Sequence, residues 1–320
     1  MGDQPSWPVV MMTTLHLWFE RRGVRIRRRG LVGLSVLLIC GLGAALAAVL
    51  IVSPGATSAS VRPAPSAKPS RQPDPAALRA EAVLRGQAAA WVAQQVSPAA
   101  IVSCDPAMCS ALQADGVPSS QLLVLVLADA DPLGSEVVVA TSAVRSQFGA
   151  RLISVYAPEV IASFGSGTGR IDIRAIAPDG SAAFESAEPA DSAARITAGR
   201  QLLQNKRITA SGTARAALNA GDVDPRLLVT LAGLAAEQQV SILSFDDPSP
   251  GAAGVPLRGA GLAVTTRAKQ RMLLSFLRAQ QGPYLPAKIQ AVSTTSAHGG
   301  RFTIEINYDA PGPLGMGGEL

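Results

Sequence analysis

The stretch "AIVSCDPAMCSALQ", residues 100–113, changes abruptly from a short apolar, β-branched run to a helix start. The run that ends at Cys104 is typical of a buried strand. Asp105 suits the N-cap of a helix, and Pro106 suits its first turn because a residue there needs no free N–H. The stretch therefore predicts a strand that leads directly into a helix, the unit from which α/β layers are built.

The same spacing brings Cys104 and Cys109 together. Cys104 precedes the N-cap residue Asp105 by one position, and Cys109 follows it by four. Side chains at these two positions pack against each other at helix starts. A structural disulfide is therefore favoured. Two alternatives remain open: a pair of unbonded buried thiols, and a redox or metal site. A redox pair would normally show the C-x-x-C spacing, which is absent here.

Strand-like and helical runs alternate around this unit, across residues 76–184. The alternation predicts a Rossmann-like α/β domain, in which a ligand would bind beyond the carboxyl ends of the strands. A ligand there would lie near Cys104 and Asp105, and the other polar residues at those ends form the candidate ligand cleft: Asp129, Asp131, Thr141, Ser142 and Arg145. As an alternative, the same residue types are common in turns and helix caps.

A second domain is predicted over residues 196–312. Residues 185–195, "ESAEPADSAAR", have the composition of a linker between the two domains. Helical runs come first in the second domain and paired strand-like runs later, which predicts an α+β fold with an antiparallel sheet. Its last two runs, 287–297 and 301–310, are expected to pair as a hairpin, and residues 313–320 to form a flexible tail.

The first 75 residues predict a membrane anchor. Residues 1–30 contain six Arg against two acidic residues, and residues 31–52 contain no charge. This order predicts a cytoplasmic N-terminal segment and a single transmembrane helix, with the rest of the chain outside the cell membrane. A cleaved signal peptide is the alternative. The Pro-, Ser- and Ala-rich residues 53–75 are expected to form a stalk.

The remaining charge argues against nucleic-acid binding. Outside residues 1–30 the chain has 22 basic and 21 acidic residues, which give a net charge of +1. A nucleic-acid-binding domain normally carries a clear excess of positive charge. Aromatic residues make up only 4% of the sequence, so side chains that stack on bases or sugars are scarce.

"LLQNKRITASGTARAALNAGDVDPRLLVTLAGLAAEQQVSILSF", residues 202–245, resembles the opening of D-Ala-D-Ala carboxypeptidase-like domains of actinobacteria. That family implies a zinc site with a His and an Asp where this chain has Arg258 and Thr265. The resemblance therefore implies a relative that lacks the metal ligands and is used for binding. The whole chain is also similar to single-pass actinobacterial envelope proteins, which implies a place in the cell envelope.

Two functions follow from these observations. The chain has only two histidines, His16 and His298, so a monomer cannot supply a histidine-rich zinc site, and we expect no metal or other cofactor. The first hypothesis is a noncatalytic binding or scaffold protein that assists a membrane-protein partner in cell-envelope glycan metabolism. The second is an extracytoplasmic enzyme that uses the strand-end cleft. A deep cleft with converging polar groups would favour the enzyme, and an apolar patch the binding protein.

Overall fold

The structure is a computed structural model that describes residues 75–126, 131–246, 249–296 and 299–312. Its helices, in chain order, are α1 (Pro75–Gln95), α2 (Pro106–Ala114), α3 (Ser142–Phe148), α4 (Ser181–Gln204), α5 (Gly212–Ala220), α6 (Pro225–Glu237) and α7 (Arg267–Arg278). Its strands are β1 (Val102–Cys104), β2 (Leu122–Val124), β3 (Val137–Ala140), β4 (Glu159–Phe164), β5 (Ile171–Ala175), β6 (Ile208–Ala210), β7 (Val240–Asp246), β8 (Gly259–Val264), β9 (Lys288–Ser296) and β10 (Gly299–Asn307). These elements build two five-stranded sheets.

The first sheet is mixed, in the order β2-β1-β3-β5-β4. Strand β1 is parallel to β2 and to β3, and Val102 lies opposite Leu122 on one side and Val137 on the other. Strand β5 is antiparallel to both β3 and β4. Only residues 165–170 connect β4 to β5, and a parallel crossover needs a dozen or more residues, so the two strands form a hairpin.

The second sheet is also mixed, in the order β6-β7-β8-β10-β9. Strands β6 and β7 are parallel, and every other neighbouring pair is antiparallel. The predicted terminal hairpin is confirmed, because β9 and β10 pair from Lys288 opposite Asn307 to Ser296 opposite Gly299 without a break in register.

The fold-class prediction is wrong, because the structure has two mixed α/β sheets. A transmembrane helix, a Rossmann-like α/β domain and an α+β domain were expected, but the first sheet has an antiparallel β3-β5-β4 half that a Rossmann-like layer lacks. Within the ranges that the structure describes, no helix is long and apolar enough to cross a membrane. Residues 31–52, on which the transmembrane prediction depended, lie outside those ranges, as do residues 1–30, 53–74 and the tail 313–320.

The residues predicted to be a linker are helical. Residues 185–195 lie in the middle of α4, which continues through Pro189. Gly199 allows α4 to pack tightly on α5, because a Cβ at this position would lie 2.1 Å from the carbonyl oxygen of Leu218. The segment between the two sheets is therefore a packed helix.

Small aliphatic side chains form the cores. Helices α1 and α2 cover one face of the first sheet, where Val137 and Val139 are buried. Val138 and Ala140 point to its other face and pack with Val144 of α3. The second sheet buries one face, mainly against α6 and α7. Successive side chains of β3 thus point to opposite faces of the sheet, and all of them are apolar because both faces are covered.

Candidate functional site

Cys104 and Cys109 form a disulfide, as predicted. Their Cα atoms are 5.4 Å apart, and both side chains are buried between β1 and α2. The helix start between them is confirmed, because the carboxylate of Asp105 accepts hydrogen bonds from the backbone N–H groups of Ala107 (2.9 Å) and Met108 (3.1 Å). The disulfide thus fixes the junction between a strand and a capped helix.

The structure brings Asp105 and Thr141 together at the carboxyl ends of β1 and β3. The Thr141 hydroxyl donates to the second oxygen of the Asp105 carboxylate and also accepts from the N–H of Val144 as the N-cap of α3. Both side chains are buried. Each is therefore engaged in capping a helix and in joining two neighbouring strand ends.

Arg145, which was also predicted to line the cleft, binds backbone carbonyl groups. Its guanidinium donates to the carbonyl oxygens of Ala140 (2.6 Å), Thr168 (2.8 Å) and Arg170. The last two belong to the connection between β4 and β5. Arg145 thus ties α3 to the tip of the β4-β5 hairpin.

Of the other members of the predicted cleft, the structure describes Asp131 and Ser142. Asp131 caps a single helical turn, Pro132–Gly134, by accepting from the N–H of Leu133 (2.9 Å). Ser142 is exposed at the first position of α3. Asp129 lies outside the described residues.

A small cavity of about 70 Å³ lies where β4, α4, the start of α6 and the residues before β8 meet. Glu159, at the start of β4, lines it together with Arg195, Asp224 and Arg258. Burial raises the pKa of the Glu159 carboxyl above its ordinary value, although the positive charges of Arg195, Arg174 and Arg258 act in the opposite direction. We call this space the Glu159 cavity.

A buried ion pair borders the Glu159 cavity. Asp224 caps α6 by accepting from the N–H of Arg226 (2.8 Å), and its carboxylate also takes two hydrogen bonds from the Arg226 guanidinium, at 3.0 and 2.7 Å. The guanidinium donates to the carbonyl oxygen of Asp309 (2.9 Å) and lies 5.0 Å from the ring centre of Tyr308. Burial raises the pKa of Tyr308 to about 12. This cluster connects α6 to the chain after β10.

Arg258 and Thr265, which the resemblance in sequence places at zinc-ligand positions, lie at opposite ends of β8. Arg258, just before the strand, is buried and donates to the carbonyl oxygen of Tyr308 (2.9 Å) and to the Ser249 hydroxyl (3.0 Å). Thr265, just after the strand, is exposed. Among the described residues there is no group of three or more His, Cys, Asp or Glu side chains placed to hold a metal ion.

A second cavity, larger than the Glu159 cavity, is an open groove of about 310 Å³ beside the end of α1. We call it the α1 groove. Its apolar wall consists of Val92, Val96, Ala100, Val102 and Val117. Its polar rim consists of Gln94, Asp115, Gln121, Lys288 and Asp309. Binding sites for small molecules commonly have this organisation and a volume of roughly 300–1,000 Å³.

Hydrogen bonds between distant segments hold the α1 groove in shape. The backbone of Ala310 donates to the carbonyl oxygen of Gln95 (2.7 Å) and accepts from the N–H of Ser97 (2.9 Å). The Gln121 side chain donates to the carbonyl oxygen of Pro98 on the other side. On the rim, burial raises the pKa of the Asp309 carboxyl, against the effects of Arg226 and Arg258. The groove is thus built into the fold.

Sequence reasoning missed the α1 groove because its residues come from segments up to 217 positions apart, from Val92 to Asp309. No local pattern signals such a site. For the Glu159 cavity the sequence gives only a weak indication, namely an acidic residue, Glu159, at the start of the β-branched run "VI". Arg226, two residues after a capping Asp, gave none, since an arginine in the first turn of a helix is usually exposed.

Comparisons of the chain with models of protein families, with curated proteins and with solved structures find no match. The two cavities and the side chains that line them are therefore the basis for a functional assignment.

Proposed function

We propose that the protein is a noncatalytic binding or scaffold protein that acts outside the cytoplasm and holds a partner of the cell envelope in the α1 groove. The observation that carries this proposal is the groove itself. It combines an open volume of about 310 Å³, an apolar wall and a rim with charges of both signs. An apolar segment of a partner protein, flanked by polar residues, matches this chemistry.

The polar residues at the strand ends already have hydrogen-bond partners within the protein, which supports a binding function over a catalytic one. The carboxylate of Asp105 caps a helix and accepts from Thr141, and the Arg145 guanidinium is bound to backbone carbonyl oxygens. A catalytic group must be able to reach a substrate proton or atom. Groups already engaged in holding the fold together are poor candidates for that role.

The disulfide supports a location outside the cytoplasm, because cytosolic proteins rarely keep structural disulfides. Attachment to the cell membrane, with the N-terminus in the cytoplasm, remains a prediction from the charge distribution of the first sixty residues. The link to glycan metabolism rests on the resemblance of residues 202–245 to carboxypeptidase-like domains.

The test is affinity capture of the full-length protein from detergent-solubilised native membranes, with quantitative mass spectrometry. Ala93 is exposed and lines the α1 groove, so Ala93→Trp fills the groove without disturbing the core. Ala82, exposed on the same helix outside the groove, gives the matched control Ala82→Trp. We expect a membrane protein of the cell envelope to be recovered with the wild type and with Ala82→Trp, but not with Ala93→Trp. Equal recovery with both variants would contradict the proposal.

One observation favours an enzyme as the second candidate. Glu159 lines a cavity, and burial raises the pKa of its carboxyl, a property typical of general acids. The full-length protein would be incubated with cell-envelope glycan fragments and the products analysed by mass spectrometry. New chain ends that appear with the wild type and with Ala93→Trp, but not with Glu159→Gln, would favour the enzyme.

A further inference from the structure

Helix α7 carries an unusual concentration of positive charge. Arg267, Lys269, Arg271 and Arg278 lie within its twelve residues, and the helix contains no acidic residue. The described helices other than α7 have at most two basic residues each. The net charge of +1 outside residues 1–30 therefore hides a local excess of +4 on this helix.

These four cations form no ion pair with the residues that the structure describes. No carboxylate of the described residues lies within 4.0 Å of any of them, whereas Arg85, Arg170, Arg195 and Arg226 each have such a partner. Arg267 and Lys269 also lie in the first turn, where the helix dipole disfavours positive charge. Local stability therefore does not explain the positive charges of Arg267 and Lys269.

The opposite face of α7 is fixed in the second core. Leu273 and Leu277 are fully buried, and Gln270 donates to the carbonyl oxygen of Thr303 on β10 (3.3 Å). The outer face thus has a set orientation. It also exposes an apolar side chain, since Met272, next to Arg271, is 57% exposed.

We propose that the outer face of α7 docks on a membrane surface rich in anionic phospholipid. Arg267, Arg271 and Arg278, spaced four and seven residues apart, follow one side of this outer face, half-buried Lys269 lies on its other side, and Met272 is exposed between them. Clustered cations are attracted to an anionic lipid surface. Phosphate headgroups supply the negative charge that these residues lack in the protein. Met272 reaches the boundary between headgroups and acyl chains.

This docking is distinct from binding in the α1 groove. The groove residues come from α1, the residues around β1 and β2, and the ends of the chain around β9 and β10, and no residue of α7 lines it. Contact of α7 with lipid would hold the domain in one orientation against the membrane. A partner could then approach the groove in the plane of the membrane.

The first experiment places an environment-sensitive fluorophore on the full-length protein at Met272→Cys, in a Cys40→Ser background labelled without reductant. The control label is at Ala216→Cys, an exposed position on α5. The vesicles contain phosphatidylcholine alone, or phosphatidylcholine and phosphatidylglycerol at about three to one. We expect a blue shift of the label at position 272 with the anionic vesicles only, and no shift at position 216.

The second experiment removes charge. Arg271→Gln with Arg278→Gln should weaken binding, measured by the label at position 272, by about thirtyfold, because each cation near an anionic surface contributes roughly five- to sixfold. Arg200→Gln with Arg215→Gln removes the same charge from exposed positions on α4 and α5 and should leave the titration unchanged.

Three results would overturn the proposal: equal shifts at positions 272 and 216, equal shifts with neutral and anionic vesicles, or unchanged binding of the α7 double variant. A shift at position 272 with soluble polyphosphate but not with vesicles would assign the face to a soluble polyanion and would also overturn it. Far-UV circular dichroism checks that both double variants keep the wild-type fold.

Discussion

Replacing Asp224 with Asn tests the buried ion pair beside the Glu159 cavity. Asn is as good an N-cap as Asp, so the bond to the Arg226 N–H can be kept while the negative charge is lost. Arg226 is 6% exposed, and its charge then has no carboxylate partner at 2.7 Å. The variant isolates the ion pair from the cap.

Loss of one partner of a buried ion pair lowers the free energy of unfolding by about 3–5 kcal/mol. For a folded unit of roughly 150–250 residues, each kcal/mol lost lowers the melting temperature by about 2–4 °C, so Asp224→Asn should lower Tm by roughly 6–20 °C. Asp224→Ala, which also removes the cap, should lose about 1 kcal/mol more. Chemical denaturation followed by circular dichroism measures both free energies.

A second substitution makes the test decisive. In the Asp224→Asn background, Arg226→Met removes the unpaired charge and retains an apolar contact for the Tyr308 ring. The double variant should therefore be more stable than Asp224→Asn alone. If Asp224→Asn loses less than about 1 kcal/mol, or if Arg226→Met destabilises it further, the reasoning about this pair is refuted.

Three other sets of substitutions test separate parts of the structure. Gly199→Ala should lower the free energy of unfolding by about 1–3 kcal/mol, because the new Cβ would meet the Leu218 carbonyl. Gly212→Ala is the control: a Cβ there meets open space, so this variant should be neutral or slightly stabilising in the same denaturation assay. Glu159→Gln should become more stable relative to the wild type as the pH rises above 4.5. The raised pKa of the Glu159 carboxyl stabilises the folded wild type at a pH below the ordinary pKa, and this contribution is lost as the pH rises through the folded-state pKa. A difference in the free energy of unfolding that does not change with pH would contradict this. Reduction should expose two additional thiols to labelling in denaturant, and replacing Cys104 and Cys109 by Ser should lower the free energy of unfolding by about 2 kcal/mol, whereas an unchanged thiol count would refute the disulfide.

The parts of the fold that local chemistry determines could be predicted. Asp105 and Asp224 cap helices because an Asp-Pro pair satisfies the first-turn N–H groups and fits a proline at the first helical positions. The spacing of Cys104 and Cys109 around such a cap predicted the disulfide for the same reason. The β9-β10 hairpin followed from two strand-like runs joined by a short connection.

The direction of strand pairing and the nature of the linker could not be predicted in this way. Helix α4 lacks an apolar stripe over much of its length and contains Pro189, so residues 185–195 look like a linker in sequence. Tertiary interactions stabilise α4 here: Arg195 donates to the carbonyl oxygen of Gly221 after α5 (2.9 Å), and Gly199, one turn further on, packs against α5. The antiparallel pairing of β3 with β5 likewise depends on which distant strands meet.

The candidate site shows the same division. The strand-end rule placed Asp105 and Thr141 together correctly, but it gave no information on whether their hydrogen bonds were free for a ligand. The α1 groove depends on contacts such as the hydrogen bond between Ala310 and Gln95, which joins the end of α1 to the chain after β10. Only the three-dimensional structure reveals such a site.

Site-specific photocrosslinking in native membranes tests the central claim, binding in the α1 groove, most directly. A benzophenone amino acid would be placed in the full-length protein at Gln94, on the groove rim, and as a control at Ala82, exposed on the same helix away from the groove. We predict one dominant protein adduct at position 94, absent at position 82 and abolished by Ala93→Trp. The same adducts at both positions, or an adduct at position 94 that persists with Ala93→Trp, would contradict the proposed binding function.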